Sequence, residues 1–153
     1  MDIQTGQQLN IRKLISFRKK VTAVELQGQV ENLQFYTKSQ GAKKIGGVIS
    51  ATYAVDGDIM DVEVYIPVDK EVISTDEFSY KPQLFLHNCV TITHAGSPHS
   101  LNISMQALNE YIMQQKLTPM SVGFVEIRSE LANPNDLENF EARVYISVVP
   151  NIV

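Results

Sequence analysis

Two short stretches decide the fold: VEVYIPV at residues 62–68 and ARVYISV at residues 142–148. Both contain Val-Tyr-Ile-x-Val, and both alternate with the period of two that marks a strand packed on one side. Each closes a similar series. Before the first lies IGGVISATYAV (45–55), a β-rich run entered through glycines; before the second lies SVGFVEIRS (121–129), also β-rich with a glycine near its start. Further upstream each copy holds a helical pattern. Leu26, Val30, Leu33 and Tyr36 recur at spacings of three and four, as do Leu101, Met105, Leu108 and Ile112 after the start signals Pro98 and Ser100. A shift of 75 places Leu26 on Leu101, Val30 on Met105, Leu33 on Leu108 and Tyr36 on Tyr111, and KLISFRK (13–19) on NCVTITH (88–94). Downstream the shift grows to 76 and then 80, as a longer loop in the second copy requires.

The chain therefore reads as a duplicated strand–helix–strand–strand unit. The fold class is α+β: a twisted antiparallel sheet with two helices on one face and a groove on the other. One domain is expected over 1–153, with repeats at about 10–69 and 85–150. Asp56-Gly57 reads as a two-residue hairpin turn, and Gly41 as a helix C-terminal cap. Residues 69–84 read as a connector, and ELANPNDLENFE (130–141) as the longer loop of the second copy. Pro67, inside a strand, implies that one side of that strand is unpaired or irregular.

Composition narrows the function classes. Apolar residues make up 44% of the chain, too many for disorder, and no run of roughly 18 apolar residues suggests a membrane span. The opening MDIQTGQQLNIRK lacks the apolar core of a secretory signal. A single cysteine, Cys89, excludes an internal disulfide and fits a reducing compartment, so a cytoplasmic protein is expected. The net charge of −4 argues against nucleic acid as a partner. Basic residues do gather at Arg12, Lys13, Arg18, Lys19 and Lys20, then Lys38, Lys43 and Lys44, but no aromatic interleaving accompanies them. A solvated face is the reading.

Alternation then sorts side chains by face. Val62, Val64, Ile66 and Val68, with Ala142, Val144, Ile146 and Val148, should meet the helices; Glu63, Tyr65, Arg143 and Tyr145 turn away. Pairing across an Asp56-Gly57 turn puts Ser50 opposite Glu63 and Val48 opposite Tyr65, so Val48, Ser50 and Thr52 share the tyrosine face. The repeat adds Phe124, Glu126 and Arg128, and the opening strands add Leu14, Ser16, Arg18, Cys89, Thr91 and Thr93. Aromatic rings with a few polar groups and one carboxylate compose a small-molecule pocket, and a carboxylate among rings favours a cation. The candidate ligand-binding residues are Glu126, Tyr145, Tyr65, Phe124, Ser50, Val48 and Arg143. Two plainer readings stand beside this one. Glu126 can form a cross-strand ion pair with Arg143, and tyrosines suit half-buried strands without any ligand.

Other chemistry finds little support. His87, His94 and His99 lie close together but match no structural zinc spacing, so no metal is expected. Cys89 and His87 share a strand face without an orienting partner, and an inert buried cysteine is the reading. Gly46-Gly47 lacks the spacing and lysine of a phosphate loop. No catalytic residue and no cofactor are assigned.

The second half, from VTITHAGSPHSLNISMQALNEYIMQQKLTPMSVGFVEIRSE to EARVYISVVP, resembles the GyrI-like domains, also found as effector-binding domains of AraC-type and MerR-type regulators. The likeness rests on His94-x-Gly96-Ser97 after a strand, Leu108-x-x-Tyr111-Ile112 in a helix, a strand running from Gly123 to Glu126, and the final Val-Tyr-Ile-x-Val strand. It implies a groove between the halves that takes hydrophobic or cationic small molecules, with Glu126 in the position of the family's groove glutamate. Some relatives are enzymes that use a glutamate and a tyrosine; Tyr145 or Tyr65 would correspond. About ten residues precede the first expected strand, too few for a helix-turn-helix, so a stand-alone binding domain is expected. The second reading is a protein-interaction or accessory module that accepts a partner chain at a sheet edge; a small-molecule hydrolase is the third.

Overall fold

Alternation along VEVYIPV places Val62, Val64 and Ile66 on one side of a strand, and all three are buried. The computed structural model describes residues 2–129 and 139–151. In chain order its elements are β1 (Asp2–Thr22), α1 (Ala23–Ser39), β2 (Ile49–Asp56), β3 (Ile59–Pro67) and β4 (Ser79–Ala95). A 3-10 turn (Pro98–Ser100) then leads into α2 (Leu101–Gln114), β5 (Leu117–Pro119), β6 (Phe124–Ile127) and β7 (Glu141–Pro150). Antiparallel strands with two helices make this an α+β fold. Most of the expected 130–141 loop lies outside the described residues. The chain divides into two units, Asn10–Leu84 and Met1–Leu9 with Phe85–Val153. Both boundaries fall inside long strands, β1 and β4.

In the Asn10–Leu84 unit, β3 pairs antiparallel with β1 (Leu14↔Pro67 to Thr22↔Ile59) and with β2 (Ile49↔Tyr65 to Asp56↔Ile59). Helix α1 sets Leu26, Val30, Leu33 and Tyr36 against Ile15, Phe17, Val62, Val64 and Ile66. Its start is fixed by a capping box. The Thr22 hydroxyl accepts the Glu25 N–H while the Glu25 carboxylate accepts the Thr22 N–H, which also holds that carboxyl below its ordinary pKa. Its end is a Schellman turn: Gly41 N–H donates to Lys38 O and Ala42 N–H to Thr37 O, with Gly41 at φ +72°. Past the end of the β2 ladder, Ile45 N–H donates to Pro67 O, so the proline stands where it owes β2 no hydrogen bond.

The other unit repeats this plan around β7. It pairs with β4 (Cys89↔Ser147 to Ala95↔Glu141), β6 (Phe124↔Tyr145 to Ile127↔Ala142) and β5 (Leu117↔Pro150 to Pro119↔Val148). Helix α2 sets Leu101, Met105, Leu108 and Ile112 against Val90, Ile92, Val144, Ile146 and Val148. A Cβ on Gly123 would lie 3.3 Å from both Met105 and Val144, so the missing side chain lets the strand entrance close on the core. The duplication extends to the backbone: Lys13 and Asn88 take left-handed φ of 64° and 53°, Gly41 and Lys116 of 72° and 56°, each pair 75 residues apart.

Three differences from the sequence reading have local causes. Strand β1 starts at Asp2, in a polar run (QTGQQLN) without apolar alternation. Strand β4 starts at Ser79, inside the expected connector, and β5 is a short addition. The third concerns β2. Gly57 and Asp58 make the turn, with Gly57 at φ +63° in the first central position, so Asp56 rather than Val55 opens the ladder. That change alters partners but not faces. A bulge between Thr52 and Ala54 then flips the face, setting Ser50 opposite Val64 and Thr52 opposite Val62. Ser50 and Val48 therefore lie on the helix side, and Val48 packs against the α1 core. Ile49 and Ala51 take the places expected for them, making Ala51 the structural counterpart of Glu126.

Candidate ligand-binding site

On the side of each unit turned away from its helix, a tyrosine stands at the same place in β3 and in β7, the strands flanked on both sides, and each meets a glutamate. In the Phe85–Val153 segment Tyr145 on β7 lies opposite Phe124 on β6 and Thr91 on β4. Its hydroxyl donates to Glu126 Oε1 at 3.2 Å. The same oxygen accepts from Arg128 Nη1 at 3.4 Å, and Arg128 also reaches Glu141 at 3.8 Å. Arg143 is directly across from Glu126, as expected, yet its Nε donates to Thr93 Oγ1 at 3.3 Å. Among the described residues the ion pair of Glu126 is thus with Arg128, two residues along its own chain. Burial and the nearby Glu126 charge push the Tyr145 phenol above its ordinary pKa, against the opposing pull of Arg143.

In the other unit Tyr65 on β3 lies between Ile49 and Ser16. Its hydroxyl donates to Glu63 Oε1 at 2.5 Å, and Tyr53 donates to the same oxygen at 2.9 Å. Arg18, opposite Glu63, is held by Asp61 through two hydrogen bonds of 3.1 and 3.0 Å, and its guanidinium lies 4.1 Å from the Tyr53 ring centre. Glu63 is therefore bound by two phenols while its neighbouring cation is committed to Asp61. Burial, then hydrogen bonding to Glu63, raises the pKa of Tyr53; the same causes raise that of Tyr65 far above the ordinary phenol range. Tyr53 and Glu63 were missed as site residues. The bulge gives β2 the extra residue that brings Tyr53 here, and no turn signal in the sequence announces it.

The tyrosines at the centre of each side are buried, with their neighbours across the strands. Tyr65 and Tyr145 are each 5% exposed, Phe124 6%, Ser16 and Thr91 1%, while Glu63 and Glu126 are partly accessible. Tyr65, Tyr145, Phe124, Glu126 and Arg143 thus lie on the expected side; Ser50 and Val48 do not. Of the histidines and the cysteine considered from the sequence, His94 donates from Nε2 to Ser97 O at 2.8 Å and shares a hydrogen bond of 2.7 Å between Nδ1 and the Ser104 hydroxyl, which ties β4 to the start of α2. Cys89 is buried, and its thiol is pushed up by desolvation, away from nucleophilic use. Among the described residues no three His, Cys, Asp or Glu side chains converge on a metal position, and no helix is long and apolar enough to cross a membrane.

No family model and no curated protein sequence matches the chain. Solved structures do. The chain is similar to the EcmrR C-terminal domain at 16% identity and TM-score 0.72, covering 99% of this chain and 100% of that one. It is similar to EcmrR in a cryo-EM complex with DNA at 16% identity and TM-score 0.76, covering 97% of this chain; it spans only 58% of the EcmrR chain there. SAV2435, solved bound to tetraphenylphosphonium, is similar at 14% identity and TM-score 0.57, with 97% of this chain and 94% of that one covered. At these identities the likeness shows the fold, and that fold is GyrI-like.

Proposed function

We propose that this chain of GyrI-like fold binds small hydrophobic or cationic molecules through its tyrosine–glutamate groups. Glu126 is the polar anchor, Tyr145 and Phe124 its aromatic surroundings, and Arg143 its cationic border. Tyr65 plays the corresponding part beside Glu63. The observation that carries this reading is a carboxylate, partly accessible, that accepts from the hydroxyl of a buried tyrosine on a side that also carries Phe124, Thr91 and the cations Arg128 and Arg143. Such a carboxylate attracts a cation by charge, and the ring faces beside it add cation–π attraction. That SAV2435 was solved with a lipophilic cation supports the same chemistry.

The test is calorimetric titration of the purified chain with tetraphenylphosphonium, alongside Glu126→Gln and Glu63→Gln variants whose circular dichroism matches the parent. Loss of the anchoring charge should weaken binding about tenfold, which is about 1.4 kcal/mol. A larger loss in Glu126→Gln than in Glu63→Gln assigns the anchor as proposed. Equal affinity in the parent and both variants, or no saturable binding to the parent, would contradict it.

A further inference from the structure

The two copies differ at one place in a way the duplication does not require. Beneath the end of α1 a cavity of about 370 Å³ is lined by Gln34, Thr37 and Lys38 of the helix, Ala42, Lys43 and Lys44 after it, and Ile66 of β3. In the second copy the positions of Thr37 and Ala42 are Ile112 and Leu117, whose larger side chains pack into that unit's core. The first copy thus has a short hydroxyl side chain and a methyl group where the second has branched aliphatic ones. Met113, Thr118 and Pro119 stand where the first copy has Lys38, Lys43 and Lys44. The shared scaffold therefore does not need the lysines.

Lys38, in the last turn of α1, complements the helix dipole, but the hydrogen bonding of the helix end needs none of the three lysines. The carbonyls of Leu33, Tyr36, Thr37 and Lys38 already accept from the Thr37 hydroxyl, Gln40 N–H, Ala42 N–H and Gly41 N–H respectively. Among the described residues no ion pair engages Lys38, Lys43 or Lys44, whereas the basic residues Arg18 and Lys19 of the same unit are paired with Asp61 and Glu77. The nearest acid in the hydrogen-bond pattern, Asp69, takes the Lys43 backbone N–H. A further ammonium, that of Lys70, would lie 3.2 Å from a Cβ on Gly41. The cavity lining thus combines the buried apolar Ala42 and Ile66 with three lysines that no ion pair engages among the described residues.

We propose that this cavity is a second binding site, for a small organic anion with an apolar body and a phosphate or carboxylate head. The apolar body lies beside Thr37 and Ala42, whose counterparts in the second copy are Ile112 and Leu117, and the lysines receive the head. The ligand class is opposite in charge to that of the tyrosine–glutamate groups, so either proposal can fail without the other.

The experiment is an amide NMR titration of the whole chain with 2-naphthyl phosphate and, separately, 2-naphthoate. Saturable shifts at residues 34–44 and 66 that weaken with added salt are expected. Phosphate alone shifting the spectrum would assign the head group; both doing so would assign any organic anion. Lys43→Gln and Lys44→Gln should each weaken binding about fivefold, the value of about one unit charge in a wet site. Ala42→Leu, which copies the second repeat, should abolish binding with the lysines in place and without loss of thermal stability. Undiminished binding in Ala42→Leu, or no saturable shift at these amides with either probe, would overturn the proposal.

Discussion

At the scale of single residues, the tyrosines give the clearest handle. In the folded chain the Tyr65 phenol stays protonated well beyond the ordinary range, chiefly because of burial and its hydrogen bond to Glu63. In the unfolded chain it ionises from about pH 10. Above that pH the unfolded state has lost a proton that the folded state keeps, so stability falls as pH rises, by at most about 1.4 kcal/mol per pH unit for this group. Below pH 10 its contribution is complete. Tyr65→Phe should cost about 1.5–3 kcal/mol at neutral pH, the value of a hydrogen bond to a charged acceptor. It should also flatten the alkaline fall. Urea melts of both proteins between pH 8 and 11 measure this, and parallel alkaline slopes would show that Tyr65 does not titrate as described. Most of these residues were legible from alternation alone. Tyr53 was not, because one bulged residue reverses the face of everything beyond it, and Ser50 and Val48 were misplaced for the same reason.

At the scale of elements, helix ends and cores carry the repeat. The helical residues matched in sequence, from Leu26 with Leu101 to Tyr36 with Tyr111, all pack on their own unit's core. That much follows from apolar spacing, which records burial directly. Left-handed cap positions are recorded less evenly, because glycine marks one at Gly41 whereas Lys116 hides its counterpart. A side chain in that conformation costs about 1–2 kcal/mol. Gly41→Ala should therefore destabilise the chain by roughly that amount, and Lys116→Gly should stabilise it by up to about 1 kcal/mol. Thermal melts of the two variants should move in opposite directions; a shift of the same sign would contradict the cap assignment. The polar start of β1 and the Ser79 start of β4 escaped notice because neither stretch shows the period of two.

At the scale of the whole molecule, duplication accounts for the fold, and divergence between the copies makes their tyrosine–glutamate groups differ. Two V-Y-I-x-V strands supply two matched tyrosines, yet their acids come from different strands: Glu63 from β3 and Glu126 from β6, where the first copy has Ala51. The lysine-bearing cavity of the first copy is lined by Thr37 and Ala42, where the second copy has Ile112 and Leu117. The α+β class was legible because the repeat is periodic; these differences are single substitutions that acquire meaning only once the register is known. The most direct test of the central claim is amide NMR of the chain titrated with tetraphenylphosphonium. Ligand binding at the tyrosine–glutamate groups predicts saturable shifts at Phe124–Ile127 and Tyr145, diminished in Glu126→Gln. Saturable shifts confined to other residues, or none, would contradict it.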